Sequence, residues 1–217
     1  MSLEVDVRKL DLFNKVSKEG SRRVADSLSQ MSGLSAEIDV AKINLMHVED
    51  VRIHLGSAKQ VGIYVELTEP PYGYVLFLLD PADSKRLARA MIPGGGNDGS
   101  DGSGFTEMER SAIQEIGNIM TSGYIDGWAN VLETTIDMNT PNFSYGPSHR
   151  IIEQMGGWPD DEIAFVLDSV ITTAETDVDL TVYTFPQLRA LVDLVQGIDL
   201  DTDVREDTVA DTSMTNN

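Results

Sequence analysis

The sequence contains no cysteine. That absence excludes a disulfide framework, a zinc–thiolate site and a thiol nucleophile. Basic residues are also scarce: Lys and Arg total 16 against 36 Asp and Glu, a formal charge of −20. Binding to a phosphate backbone needs clustered cations, so no nucleic-acid partner is expected. No apolar run approaches the roughly 20 residues of a membrane-spanning helix, and no membrane insertion is expected. The N-terminal stretch MSLEVDVRKL lacks the long apolar segment of a signal peptide. The chain therefore reads as a cytoplasmic protein.

What is present points to a folded chain. Its 217 residues suffice for a buried core without a disulfide or a structural metal. Hydrophobic residues make up 41% and fall in clear runs, which argues against disorder despite the charge. The acidity has a particular form: 22 Asp exceed 14 Glu, and 6 Lys stand against 10 Arg. At molar salt the screening length falls to about 3 Å, which largely silences repulsion between surface carboxylates. A surface adapted to concentrated salt is the favoured reading, an ordinary acidic protein the plainer one.

The segment 94–104, GGGNDGSDGSG, divides the chain. It reads as a flexible connector, and no Gly-Lys-Ser/Thr follows to make it a phosphate loop. Asn97, Asp98 and Asp101 suggest a calcium loop, but a single irregular copy without a closing Glu favours a solvated linker. On either side lies the same order of elements. Helical patterns run from Leu10 to Met31 and from Thr106 to Leu132. Strand-like runs follow, and each half ends in a short helix after Pro81 or Pro186. The expected fold is α+β: a tandem pseudo-symmetric duplication of helix–strands–helix units, long helices packed on a largely antiparallel sheet. The first repeat spans 1–93 and the second 105–198. The Asp- and Thr-rich tail 199–217 is expected to be disordered.

The second long helix is the best-specified element. Thr106-Glu107-Met108-Glu109 reads as a capping box. At about 100° per residue, Met108, Ala112, Ile113, Ile116, Ile119 and Met120 form one broad stripe facing the core. Ser111, Glu115, Asn118 and Ser122 fall in a narrow arc on the opposite side. Gly117 between them costs about 1 kcal/mol relative to Ala, which suggests that something approaches closely there. A polar outer face is usually only solvated. However, a carboxylate can pair with a cation, and a carboxamide one turn away can position a water. Such a pair suits hydrolysis of an acyl phosphate, which needs an aligned water more than a strong base.

Ser111-xxx-Glu115-xx-Asn118, set in SAIQEIGNIMTSGYIDGWANVL, resembles the signature helix of the CheC/CheX/FliY phosphatases of chemotaxis. Pro141 in IDMNTPNF resembles the proline that follows this helix in the family, and the duplicated halves resemble the CheC member up to about Val195. The resemblance implies dephosphorylation of a phosphorylated CheY-type response regulator. Asn118 would orient the attacking water and Glu115 would pair with the regulator's lysine, with Ser111 and Gly117 in support. Mg2+ would belong to the regulator, and this chain would carry no cofactor or metal of its own. The receptor deamidase CheD is a second implied partner. The alternative is a non-enzymatic adaptor that binds CheD, a regulator or a motor-switch component.

Subtracting 100 places Asp11, Lys15, Lys18 and Arg22 opposite Ser111, Glu115, Asn118 and Ser122, with Leu12, Phe13 and Val16 opposite Ala112, Ile113 and Ile116. Lysine cannot accept a hydrogen bond from water, so the first site is expected to be degenerate. The cationic face, with Arg23 beside it, reads first as solvated; docking of an acidic partner is the sharper alternative. His47, His54 and His149 show no metal-ligand spacing, and two of them fall in expected strand regions. Tyr124, Trp128 and Trp158 read as packing residues.

Overall fold

A computed structural model describes residues 7–32, 36–92, 104–155, 163–173 and 177–198. The connector apart from Gly104, the calcium-loop candidates Asn97, Asp98 and Asp101, Trp158 and the tail 199–217 lie outside the described residues. The first half runs α1 (Val7–Ser32), β1 (Ala36–His47), α2 (Val48–Leu55), β2 (Lys59–Leu67), β3 (Gly73–Leu79) and α3 (Pro81–Met91). The second runs α4 (Glu107–Val131), β4 (Asn142–Pro147), α5 (Ser148–Gln154), β5 (Ile163–Thr173), β6 (Asp177–Pro186) and α6 (Leu188–Gly197). The order helix, strand, short helix, two strands, helix thus occurs twice.

Three elements were not expected. The short helices α2 and α5 cover about two turns each, too few to show a clear 3.6-residue period. β4 is a six-residue edge strand that ends in Pro147 and lacks the β-branched alternation of its neighbours. The role of one proline also differs. Pro81 occupies the first turn of α3, where the Asp80 carboxylate accepts from the Ala82 N–H at 2.7 Å. Pro186 instead ends β6, and Gln187 precedes α6.

All six strands join one antiparallel sheet in the order β1-β5-β6-β3-β2-β4. Exchanging the halves leaves this order unchanged. The pseudo-twofold axis passes between β3 and β6, where Leu76 opposes Tyr183. Each half places its first strand outside the other half's hairpin, so β1 pairs with β5 and β4 with β2.

Alternation along the strands divides the core into two layers. Val61, Ile63, Val65, Val75, Phe77, Val178, Leu180 and Val182 face the long helices, together with Leu87 of α3 and Leu191 of α6. Leu76, Leu78, Val166, Tyr183 and Phe185 face Val51 and Leu55 of α2 and Ile151 and Ile152 of α5. This explains why β3 reads as an unbroken apolar run: both of its faces are buried.

The long helices pack against each other in antiparallel fashion. A Cβ on Gly127 would lie 2.5 Å from the backbone of Gly20, and one on Gly123 would lie 2.8 Å from the Arg23 carbonyl oxygen. Beside this crossing Tyr124 is wholly buried, edge-on to Phe77 at 5.8 Å, and its hydroxyl shares a 2.9 Å hydrogen bond with Thr184 of β6. Burial pushes the Tyr124 hydroxyl up to about 12. Trp128 and Leu28, at equivalent positions of the two halves, are both buried. Tyr124 and Trp128 are packing residues, as expected.

Two stability predictions follow from this crossing. Gly127→Ala should destabilise the protein by about 1–3 kcal/mol through overpacking, despite the roughly 1 kcal/mol gain in helix propensity. Gly197→Ala, with open space around the new methyl, should be neutral or stabilising. Guanidinium unfolding of both variants tests the contrast. Tyr124→Phe should cost about 1 kcal/mol near neutral pH by removing the Thr184 hydrogen bond. The Tyr124 value is raised on folding, so its protonation contributes stability below the unfolded value near 10, lost as pH rises through about 12. Across that window wild type should lose stability faster than Tyr124→Phe, which unfolding curves at stepped alkaline pH will show.

Candidate functional site

The start of α4 is held from several directions. Phe105, immediately before the cap, is buried edge-on to Phe143 and Tyr145 of β4, and the Lys85 ammonium lies 5.0 Å from its ring centroid. The Thr106 hydroxyl accepts from the Glu109 N–H at 3.1 Å, and the Glu109 carboxylate accepts from the Thr106 N–H at 2.9 Å. The capping box is therefore complete in both directions. Glu109 is only 4% exposed and also pairs with Arg89 of α3 at 3.5 Å. Arg89 lies 20 positions earlier in the chain and carries no sequence signal for this contact.

With its start fixed, the rotation of α4 follows from its apolar stripe. Ile113, Ile116, Ile119 and Met120 are buried, and Ser111, Glu115 and Asn118 are exposed, with Ser122 half-buried. Glu115 and Asn118 lie about 4.5 Å apart along the axis and about 60° apart around it. Both project to the surface. Any group that they act on would have to reach them from outside the chain.

Two expectations at this helix are corrected. Met108 is 58% exposed and does not belong to the core stripe. At the helix start Phe105 already fills the apolar space beneath. Gly117 is buried and faces the sheet: a Cβ there would lie 2.5 Å from Cγ2 of Ile63 on β2. The close approach it permits is that of helix to strand, not of a ligand to the outer face. It supports Glu115 and Asn118 by letting α4 lie low on β2.

α1 has the same rotation. Leu12 and Val16 are buried, and Lys15 and Lys18 are exposed where Glu115 and Asn118 are exposed on α4. Asp11 lies on the same helix. The expected cationic face is smaller than the sequence suggests. Arg22 bonds Glu19 at 2.5 Å and Asp26 at 2.7 Å, and Arg23 bonds Glu19 at 3.2 Å. The hydrogen bond from Arg22 holds the Glu19 carboxyl below its ordinary value and raises the guanidinium in turn. Lys15 and Lys18 are the exposed cations at the positions equivalent to Glu115 and Asn118.

The other candidates disperse. His47 ends β1, but His54 lies on α2 and His149 on α5, where its Nδ1 is 3.3 Å from the Gly56 carbonyl oxygen. Among the described residues no group of three or more His, Cys, Asp or Glu side chains could hold a metal ion. No described helix is long and apolar enough to cross a membrane. Pro141 leads into β4, beside a loop that bonds the end of β2 through Asn139 and Glu66 at 2.9 Å.

Comparison with known proteins agrees with this geometry. The model of the CheC-like family matches residues 108–145, the stretch that carries the exposed pair and Pro141. CheC1 of Halobacterium salinarum, provisionally named a CheY-P phosphatase, is 42% identical over 198 residues, covering 91% of this chain and 100% of that protein. FliY of Thermotoga maritima shares the fold with a TM-score of 0.67 at 18% identity, over 89% of this chain and 95% of that one. CheX of Borrelia burgdorferi, solved in a complex with CheY, BeF3 and Mg2+, gives a TM-score of 0.52 at 15% identity, over 78% and 96%. Identity at this level along the whole of a CheC protein means that this chain belongs to the CheC-like family.

Proposed function

We propose that this chain hydrolyses the aspartyl phosphate of a CheY-type response regulator in the cytoplasm. The observation that carries the reading is the outward Glu115–Asn118 pair on a helix fixed at its start and seated low on the sheet. A relative named for CheY-P phosphatase activity and a fold neighbour solved with CheY support it.

In this reading Asn118 enters the regulator's phosphorylated pocket. Its carboxamide accepts a hydrogen bond from a water and aligns that water behind the phosphorus. The water oxygen bonds to phosphorus as the bond from phosphorus to the aspartyl oxygen breaks, releasing inorganic phosphate and restoring the carboxylate. Glu115 pairs with the regulator's lysine and sets the docking register. Mg2+ belongs to the regulator, where it neutralises developing phosphoryl charge. On α1 the positions equivalent to Glu115 and Asn118 are Lys15 and Lys18, which cannot accept a hydrogen bond from water, so one face per chain is active. CheD is the second partner of this reading. An adaptor without turnover is the competing one.

Regulator dephosphorylation in molar salt tests the assignment. Asn118→Ala should lower catalysed turnover by about 100-fold or more, as loss of a preorganised positioning group does. Glu115→Ala should act mainly through KM, by no more than about fivefold, the upper scale of one solvent-exposed ion pair, and by less as salt rises. Lys15→Ala/Lys18→Ala should stay within about twofold of wild type in kcat/KM. If wild type adds nothing to the regulator's own decay, the enzyme reading fails and the adaptor reading stands.

A further inference from the structure

Among the described residues three large hydrophobic side chains are exposed: Ile53, Tyr72 and Met108. Ile53 lies on α2, across the sheet from the long helices, and Tyr72 lies in the β2–β3 turn. Met108 alone lies on α4, and its position there is specific. Met108, Ser111, Glu115, Asn118 and Ser122 are spaced three, four, three and four residues apart. At about 100° per residue this spacing keeps all five within an arc of roughly 80°, and Met108 is about 20° from Glu115. Along the axis it lies about 10 Å from Glu115 and 15 Å from Asn118.

A lone exposed apolar residue needs no explanation by itself. Here the surroundings are unusual. Phe105 is buried on one side of Met108 and Glu109 on the other, and the capping box and Arg89 fix the turn between them. The turn thus holds an apolar side chain in water at the end of the polar stripe. A protein interface of ordinary size buries about 800 Å² on each partner. A partner seated on Asn118 would cover Met108 as well.

We infer that Met108 is an apolar anchor for the docked regulator, seated against the surface that flanks its phosphorylated pocket. The inference rests on the phosphatase reading above and adds to it the contact that carries affinity. Salt decides between contact types. At molar salt the screening length is about 3 Å, so ionic contacts such as Glu115 with a lysine are weakened. Apolar burial is not screened, and a flexible thioether side chain adapts to an irregular surface. In a chain of charge −20, an apolar contact beside the polar pair supplies binding that concentrated salt leaves intact.

The test measures binding of the BeF3-loaded regulator to wild type, Met108→Gln and Met108→Leu in about 1 M and about 3 M potassium chloride, with dephosphorylation kinetics in parallel. Met108→Gln should weaken binding about tenfold, or 1.4 kcal/mol, and raise KM by the same factor at similar kcat. The loss should persist or grow at the higher salt, and Met108→Leu should bind like wild type. Equal affinity of Met108→Gln and wild type would overturn the anchor while leaving the phosphatase reading intact. So would a fall in kcat at unchanged KM. A wild type that neither binds nor dephosphorylates the regulator would overturn both.

Discussion

Backbone touches backbone where the two long helices cross. A methyl group on Gly127 would sit 2.5 Å from Gly20, and one on Gly123 would meet the Arg23 carbonyl. Ordinary side chains at these positions would hold the helix axes apart at the usual 8–10 Å or more. The close crossing lets both helices lie on one face of a single sheet, with Tyr124 and Trp128 filling the space beneath. Gly117 lowers α4 further onto β2. The outward direction of Glu115 and Asn118 is therefore set by buried residues.

The sheet explains why the two halves share their core layers and do not each build a core of their own. Because β1 borders β5 and β4 borders β2, the halves share one hydrogen-bond network. The pseudo-symmetry constrains what is buried more than what is exposed. Leu12, Val16 and Leu28 keep the apolar character of Ala112, Ile116 and Trp128. The outer residues are free of this constraint, and there Glu115 and Asn118 stand opposite Lys15 and Lys18. An exposed position on a packed helix changes its chemistry at almost no cost in stability.

Much of this was legible in the residues. Long periodic segments gave both long helices to within three residues at each end, because a stripe of seven turns is hard to mistake. The capping box at Thr106 and Glu109 was readable because it is local. The short elements were not: α2, α5 and β4 are too brief for a period to emerge. The errors at single residues share another cause. Met108 was assigned from a helical wheel, which knows angle but not what lies beneath each turn, and Gly117 from its place between Glu115 and Asn118 in the chain, which does not give the side it faces. Phe105 fills the space under Met108, and Ile63 lies under Gly117. Arg22 was placed on a cationic face, and its ion pairs with Glu19 and Asp26 could not be read because they depend on rotamers. The Arg89–Glu109 contact joins elements on either side of the connector and leaves no trace in spacing.

The exposure of the candidate pair bears on where its chemistry resides. A side chain in water gains little from electrostatic preorganisation, because the solvent dielectric weakens each interaction. On the reading proposed above, Glu115 and Asn118 become effective only when a partner closes over them and excludes that solvent, and the catalytic site is then an interface, completed by the molecule it acts on. The same reasoning limits the role of the overall charge. At molar salt, where the screening length is about 3 Å, a charge of −20 does not steer a partner from a distance. Selection among partners then depends on contacts made after encounter. On the proposed reading, shape, apolar fit and the reach of one carboxamide decide which regulator is held long enough for water to attack.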